Sequence, residues 1–274
     1  MKKINKRLIV SDFDGTLLTD DGAIPDEARA AIAEYVANGG IFAVCTGRML
    51  ASILPRVREL GLKGLVVAYQ GTVIAEIESG KVIKKNAIPC ADAAELCAFF
   101  ESLEKGVNTY TNEILYTSLP KDNAYLKIYE SRTGIDAISV EGGLANFVIK
   151  NNFDCQKVTC LLSPKEREEV YRAAAEKFGK RFDITCSADA LVEASPLEDN
   201  KGAALKYIAD YYKIPMDSTV AIGDNLNDLS MIVAANIGVA VGNATQVLKD
   251  AADVVTVSNN EAAVAKIIKK YGFV

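Results

Sequence analysis

The apolar positions of this chain fall into short unbroken runs, separated by stretches in which they recur at helical spacing. Leu8-Ile9-Val10, Ile41-Phe42-Ala43-Val44-Cys45 and Leu65-Val66-Val67-Ala68 are continuous rather than alternating. Such runs mark strands covered on both faces, and hence a mostly parallel sheet. After the strand over 8–12, a helix opens near Pro25-Asp26. It places Ala28, Ala31, Ile32, Tyr35 and Val36 on one side and stops at Gly39-Gly40. Ile53, Val57 and Leu60 mark a second helix. The C-terminal part repeats the theme, with a helix over 200–212, apolar runs at 219–222, 237–241 and 254–257, and a last helix over 260–271.

The middle of the chain, 84–188, has a different texture. Helices near 91–105, 121–133 and 164–178 interleave with β-rich segments at 108–112, 114–117, 157–162 and 181–186. Several of these segments alternate apolar and polar residues, as one-sided antiparallel strands do. The expected fold is α/β: a doubly wound, mostly parallel, Rossmann-like core sheet from 1–83 and 189–274, with an inserted α+β domain over 84–188.

Composition narrows the chemistry. The 274 residues are 50% hydrophobic and 24% charged, an ordinary globular balance. A net charge of −5 argues against a nucleic-acid partner, which needs a basic face, but is compatible with a local pocket for one phosphate. No apolar stretch approaches the roughly 20 residues of a membrane span, and the run before Asp12 is too short for an export signal. The six scattered cysteines include no CxxC pair and read as reduced thiols of a cytoplasmic protein. There is no histidine. That excludes Ser-His-Asp and Cys-His hydrolases and every His-ligated metal centre, leaving acid–base work to carboxylates, Lys, Tyr or Cys.

The first run ends in Asp12-Phe13-Asp14-Gly15-Thr16. Residues i and i+2 of a strand share a side, so Asp12 and Asp14 can converge on one small volume. Like charges held that close repel unless a cation lies between them or one stays protonated. The second core run ends in Thr46-Gly47-Arg48 and the run at 219–222 in Gly223-Asp224-Asn225, followed by Asn227 and Asp228; Lys201 opens the helix over 200–212. If the sheet is parallel, these ends share the edge where α/β proteins bind ligands.

Phosphoryl transfer requires such a set: a nucleophile, a cation, donors for the phosphoryl oxygens and a proton source. A carboxylate such as Asp12 can act as nucleophile, giving an aspartyl-phosphate. Mg²⁺ suits an all-oxygen site completed by water and phosphate. The Thr46 hydroxyl and Gly47 amide are good phosphate donors, and Lys201 supplies a point charge.

The four segments Asp12-Phe13-Asp14-Gly15-Thr16, Cys45-Thr46-Gly47-Arg48, Asn200-Lys201-Gly202 and Gly223-Asp224-Asn225-Leu226-Asn227-Asp228 resemble, in order, the motifs of the haloacid dehalogenase superfamily. More narrowly the chain resembles its Cof-type phosphatases, whose large α/β cap is inserted between the second and third motifs. The resemblance implies Asp12 as nucleophile and metal ligand, and Asp14 as general acid and then base, binding metal through its carbonyl. It implies the Phe13 amide, Thr46, Gly47, Lys201 and Asn227 as phosphate-binding groups. Asp224 is implied as a Mg²⁺ ligand, and Asp228 as an additional or supporting metal carboxylate. Gln70-Gly71 stands where many relatives have Asn-Gly. Asn225 and Leu226 replace small residues, and the stretch 195–199 is more acidic than usual; these departures bear on substrate fit.

The expected function is Mg²⁺-dependent hydrolysis of a small phosphomonoester, a sugar phosphate or phosphorylated cofactor, with a small phosphorylated metabolite as partner. A sugar phosphomutase, which would yield an isomerised phosphate instead of free phosphate, is one alternative. A non-catalytic metabolite sensor, which would bind without turnover, is the other. On their own, Thr46-Gly47-Arg48 reads as an ordinary strand-to-helix turn, Arg48 as the partner of some carboxylate, and Asp224, Asn227 and Asp228 as helix caps.

Overall fold

A computed structural model describes residues 2–188 and 190–274; Asp189, the first residue of the expected return segment, lies outside the described residues. The chain enters through β1 (Leu8–Ser11), α1 (Asp26–Ala37), β2 (Ile41–Val44), α2 (Leu50–Glu59), β3 (Leu65–Ala68), β4 (Val73–Glu76) and β5 (Val82–Lys85). It continues through α3 (Cys90–Ser102), β6 (Gly106–Thr111), β7 (Ile114–Thr117), α4 (Ala124–Thr133), β8 (Ala137–Ser139), α5 (Leu144–Asn151), β9 (Lys157–Leu161), α6 (Arg167–Phe178), β10 (Phe182–Thr185) and β11 (Leu191–Pro196). It returns through α7 (Lys201–Tyr211), β12 (Thr219–Gly223), α8 (Leu229–Ala234), β13 (Ile237–Ala240), α9 (Gln246–Ala251), β14 (Val254–Val255) and α10 (Ala263–Ile267). Among the described residues no helix is long and apolar enough to cross a membrane.

The core sheet has the order β14-β13-β12-β1-β2, and every pairing is parallel. Leu8, Ile9 and Val10 in β1, an interior strand between β12 and β2, are fully buried, as an unbroken apolar run requires. The run at 65–68 departs from expectation. β3 touches the core sheet through a single parallel bridge, Cys45 to Val67, and otherwise forms an antiparallel meander with β4 and β5. The cause is local. Tyr69, Gln70 and Gly71 all have positive φ (51°, 62° and 118°), so the chain reverses at once and β4 takes an edge of β3.

The insert builds a second sheet of order β10-β11-β9-β6-β7-β8, antiparallel except for β7 with β8. β11 lies beyond the expected end of the insert at 188 yet pairs with both β9 and β10. Its Val192 and Ala194 complete the insert's own core with Val107, Val158, Phe100 and Phe178. The alternation in these strands is present, but the polar face is not open to water: Asn108, Lys157, Thr159 and Glu193 are all buried. The sheet is covered on both sides. Its apolar face packs on α3 and α6, while its polar face meets α4 and the core domain, where Tyr110 joins the main hydrophobic cluster.

The turn after β3 is pinned to the start of α7. A Cβ on Gly71 would stand 2.6 Å from the Asn200 carbonyl oxygen, and φ +118° already disfavours a side chain. Gly71→Ala is expected to cost about 2 kcal/mol or more and lower Tm by roughly 5 °C. Gly22→Ala has a positive φ but nothing within 4 Å of the new Cβ. It should cost only about half as much by the same thermal denaturation, since only the backbone strain applies.

Candidate active site

Because β1, β2 and β12 run parallel, their carboxyl ends share one edge. Asp12 directly follows β1, its amide still bonded to the Ile222 carbonyl of β12 at 2.9 Å. Thr46, Gly47 and Arg48 follow β2, and Asp224 follows β12. The fourth piece arrives from α7. The Asn200 side chain caps that helix by accepting from the Ala203 amide, which sets Lys201 at its first residue.

Lys201 is fully buried, and its ammonium donates to Asp12 Oδ1 at 2.7 Å and to Asp228 Oδ1 at 2.6 Å. The other oxygen of Asp228 accepts from the amides of Asp224 and Asn225 at 2.9 and 3.0 Å, so both of its oxygens are engaged. Thr16 donates its hydroxyl to Asp224 Oδ1 at 2.6 Å. Asp12, Asp224 and Asp228 thereby offer carboxylate oxygens within 4.8 Å of one another.

Three carboxylates around one ammonium leave an excess of two negative charges when all are ionised. Burial, and then the Asp228 charge, push Asp12 well above the usual carboxylate range. The same two causes raise Asp224 to about 7. Burial alone would lower the Lys201 ammonium, but Asp12 and Asp228 outweigh it and hold it above its ordinary value. An oxygen-only cluster with this excess fits a hard divalent cation, Mg²⁺ among them.

Asp14 does not join that cluster. Its half-exposed carboxylate turns to Arg48, which grips it with two bonds, Nε to Oδ2 and Nη2 to Oδ1, both 2.7 Å. The Arg48 guanidinium also stands over the Phe13 ring, 5.2 Å from its centroid. The Phe13 side chain is packed in the core, so toward the site it can offer only its main chain. A cavity of about 150 Å³ opens here. Asp12, Asp14, Thr46, Gly47 and Asn227 line it from the core, and Tyr129, Lys157 and Glu193 from the insert. Lys201, Asp224 and Asp228 do not line this cavity and reach it through Asp12.

The insert is tied to this edge by a chain of bonds that sequence reading did not anticipate. Asn227 donates to Gln70 Oε1 at 3.1 Å, and Gln70 donates to Glu193 Oε2 at 2.6 Å. Lys157 donates to Glu193 Oε1 at 2.7 Å and to the Gly47 carbonyl at 2.9 Å. Glu113, in the turn after β6, accepts from the Ala51 amide and the Tyr69 hydroxyl. The signal for Lys157 and Glu193 was available: each is a lone charge in an otherwise uncharged strand segment, Lys157-Val158-Thr159-Cys160 and Leu191-Val192-Glu193-Ala194. Buried strands carry such charges only when they are paired.

A family model for haloacid dehalogenase-like hydrolases matches residues 9–268. The chain is 30% identical to phosphatase YwpJ of Bacillus subtilis, over 96% of this chain and 99% of that protein. It is 27% identical to the 5-amino-6-(5-phospho-D-ribitylamino)uracil phosphatase YcsE of the same organism, over 98% and 96%. A solved haloacid dehalogenase-like hydrolase from B. subtilis superposes with a TM-score of 0.85 at 27% identity, covering 96% of this chain and 99% of that one.

The charge excess sets a pH dependence. An acid with a folded pKa of about 7 against an ordinary 3.8 binds more protons folded than unfolded between those values. Its stabilising contribution is full below about pH 4 and is lost as pH rises through about 7. After removal of divalent ions with EDTA, Tm is expected to fall between about pH 5 and pH 8. Added Mg²⁺ should raise Tm more at pH 8, where protons no longer compete for the same oxygens. Thermal denaturation at both pH values, with and without Mg²⁺, checks this; no Mg²⁺ shift at pH 8 contradicts it.

Proposed function

The chain belongs to the haloacid dehalogenase-like hydrolases and is a phosphatase, and we propose that it hydrolyses small phosphomonoesters, sugar phosphates or phosphorylated cofactors, with Mg²⁺ and through an aspartyl-phosphate on Asp12. One observation carries this reading. The Lys201 ammonium bridges Asp12 and Asp228 at the edge where Asp224 also converges, a cation-seeking cluster beside a cavity.

In this reading Asp12 attacks phosphorus in line, and the bond from phosphorus to the alcohol oxygen breaks as Asp14 gives that oxygen a proton. Water then attacks the phosphorus of the acyl phosphate, Asp14 takes its proton, and phosphate and free Asp12 are regenerated. Arg48 holds both oxygens of Asp14, so Asp14 must leave that fork to reach the alcohol and then the water. Lys201 holds Asp12 in place and balances its charge. The amide of Phe13, Thr46, Gly47, Asn227 and Lys201 would hold the phosphoryl oxygens. Mg²⁺ held by Asp12, Asp224 and the Asp14 carbonyl would neutralise charge on those oxygens. Both oxygens of Asp228 are engaged, which supports a positioning role for it beside the metal.

We assign the insert, 84–188 extended through β11, as a cap that excludes water over the cavity. The bonds from Lys157 to the Gly47 carbonyl and from Gln70 to Glu193 support that assignment.

Hydrolysis of p-nitrophenyl phosphate is expected to require Mg²⁺ and to fall by roughly a thousandfold or more in Asp12→Asn, with an unchanged far-ultraviolet circular dichroism spectrum. Full turnover in that variant, or in excess EDTA, overturns the proposal.

A further inference from the structure

We infer that this chain has a second binding site, a groove beside the first linker to the insert. It takes a small zwitterion, a free amino acid whose carboxylate meets Lys85 and whose ammonium meets Asp154. A polar groove of about 480 Å³ opens where the chain leaves β5 for α3, at 85–87, against Asn112, Asn152, Asp154 and Gln156 of the insert. It shares no lining residue with the cavity at Asp12, and its occupant plays no part in the hydrolysis proposed above.

Opposite charges line this groove without meeting. Lys85 and Asp154 form no ion pair with each other or with any other of the described residues. The neighbouring Lys84 is the contrast, paired at 2.6 Å with the buried Asp199. Lys85 donates only to the Asn112 amide oxygen, at 3.3 Å, which leaves two N–H groups and an unmatched charge. Asp154 accepts from the Cys90 amide through Oδ1 at 2.8 Å, and its Oδ2 has no partner among the described residues.

Gln156 is the stronger sign. It lines the groove, is only 2% exposed, and its amide oxygen is buried without a hydrogen bond. Leaving such a group unpaired opposes folding. Asn112 and Asn152 stand at φ 50° and 52°, where Asn is favoured for backbone reasons; Gln156 has no positive φ to account for it. Asp154 and Gln156 flank Cys155, which bridges to Ile88 in extended backbone, so the two side chains share a side. An ammonium carries three donors, enough to answer both the free Asp154 oxygen and the Gln156 oxygen.

Charge then selects the ligand. An anion alone is repelled by Asp154 and a cation alone by Lys85, whereas a zwitterion meets each with the opposite sign. The Asn112 and Asn152 amides add donors and acceptors for the rest of the molecule. A groove of about 480 Å³ corresponds to about sixteen water volumes, room for a free amino acid.

Titration calorimetry tests this with the protein-forming amino acids, together with β-alanine and 4-aminobutyrate, which set the two charges further apart. At least one should bind with a Kd of about 1 mM or tighter. The matching hydroxy acid, which lacks the ammonium, and the matching amino amide, which lacks the carboxylate, should each bind at least about tenfold more weakly. Lys85→Gln and Asp154→Asn should each weaken the best binder at least about tenfold, and Lys85→Arg, which keeps the charge, should hold it within about threefold. Asp154→Asn retains an oxygen for the Cys90 amide, and circular dichroism checks that each variant is folded. The inference is overturned if no zwitterion binds, if the hydroxy acid or the amino amide binds as tightly, or if either folded charge-removing variant keeps the affinity. Each of those results leaves the groove as solvated surface. No phosphoester is present in these titrations, so their outcome leaves the phosphatase reading untouched.

Discussion

A single buried ammonium organises this molecule. Lys201 lies between Asp12 and Asp228 with no exposed surface, and with Asp224 beside them the cluster carries more negative than positive charge. Removing such groups from water is expensive unless each is paired and hydrogen-bonded. The surroundings meet that demand group by group. Asp228 takes two amides from the turn after β12, Asp224 takes the Thr16 hydroxyl, and Lys201 divides its bonds between two carboxylates. The charge left over suits the site to a divalent cation.

That pairing dictates much of the fold around it. β1, β2 and β12 must be parallel for their ends to meet, and α7 must begin at this edge for Lys201 to enter it. A Cβ on Gly15 would strike Asp224 Oδ2 at 2.7 Å, so the chain after the paired aspartates can pass only without a side chain. The turn at 69–71, with Gly71 against the Asn200 carbonyl, braces the same helix start from the opposite direction. Gln70 in that turn links Asn227 to Glu193, so the brace also connects the core edge to the insert.

The core was legible in the sequence because two local rules sufficed. Continuous apolar runs marked the strands of the parallel sheet, and the structure brings the polar residues just beyond them, Asp12, Thr46 and Asp224, to one edge with Lys201 at the start of α7. What the sequence concealed was pairing at a distance. β3 reads like a core strand, and only the reversal at Tyr69-Gln70-Gly71 shows that it pairs mainly with β4. β11 reads like part of the return segment, but its register with β9 and β10 puts it in the insert's sheet. The alternation of β6 and β9 suggested a wet face; contact with the core domain, invisible to any local window, buries it. For the same reason the partnership of Lys157 with Glu193, and of Arg48 with Asp14, emerged only in three dimensions.

The claim at the centre of this account is that one buried ammonium and converging carboxylates form a seat for a single Mg²⁺. Titration calorimetry with Mg²⁺ addresses it without any substrate. The account predicts one ion bound per chain, with the binding heat lost in Asp224→Asn while that variant stays folded. No binding by the unaltered protein, or undiminished binding by Asp224→Asn, would contradict it.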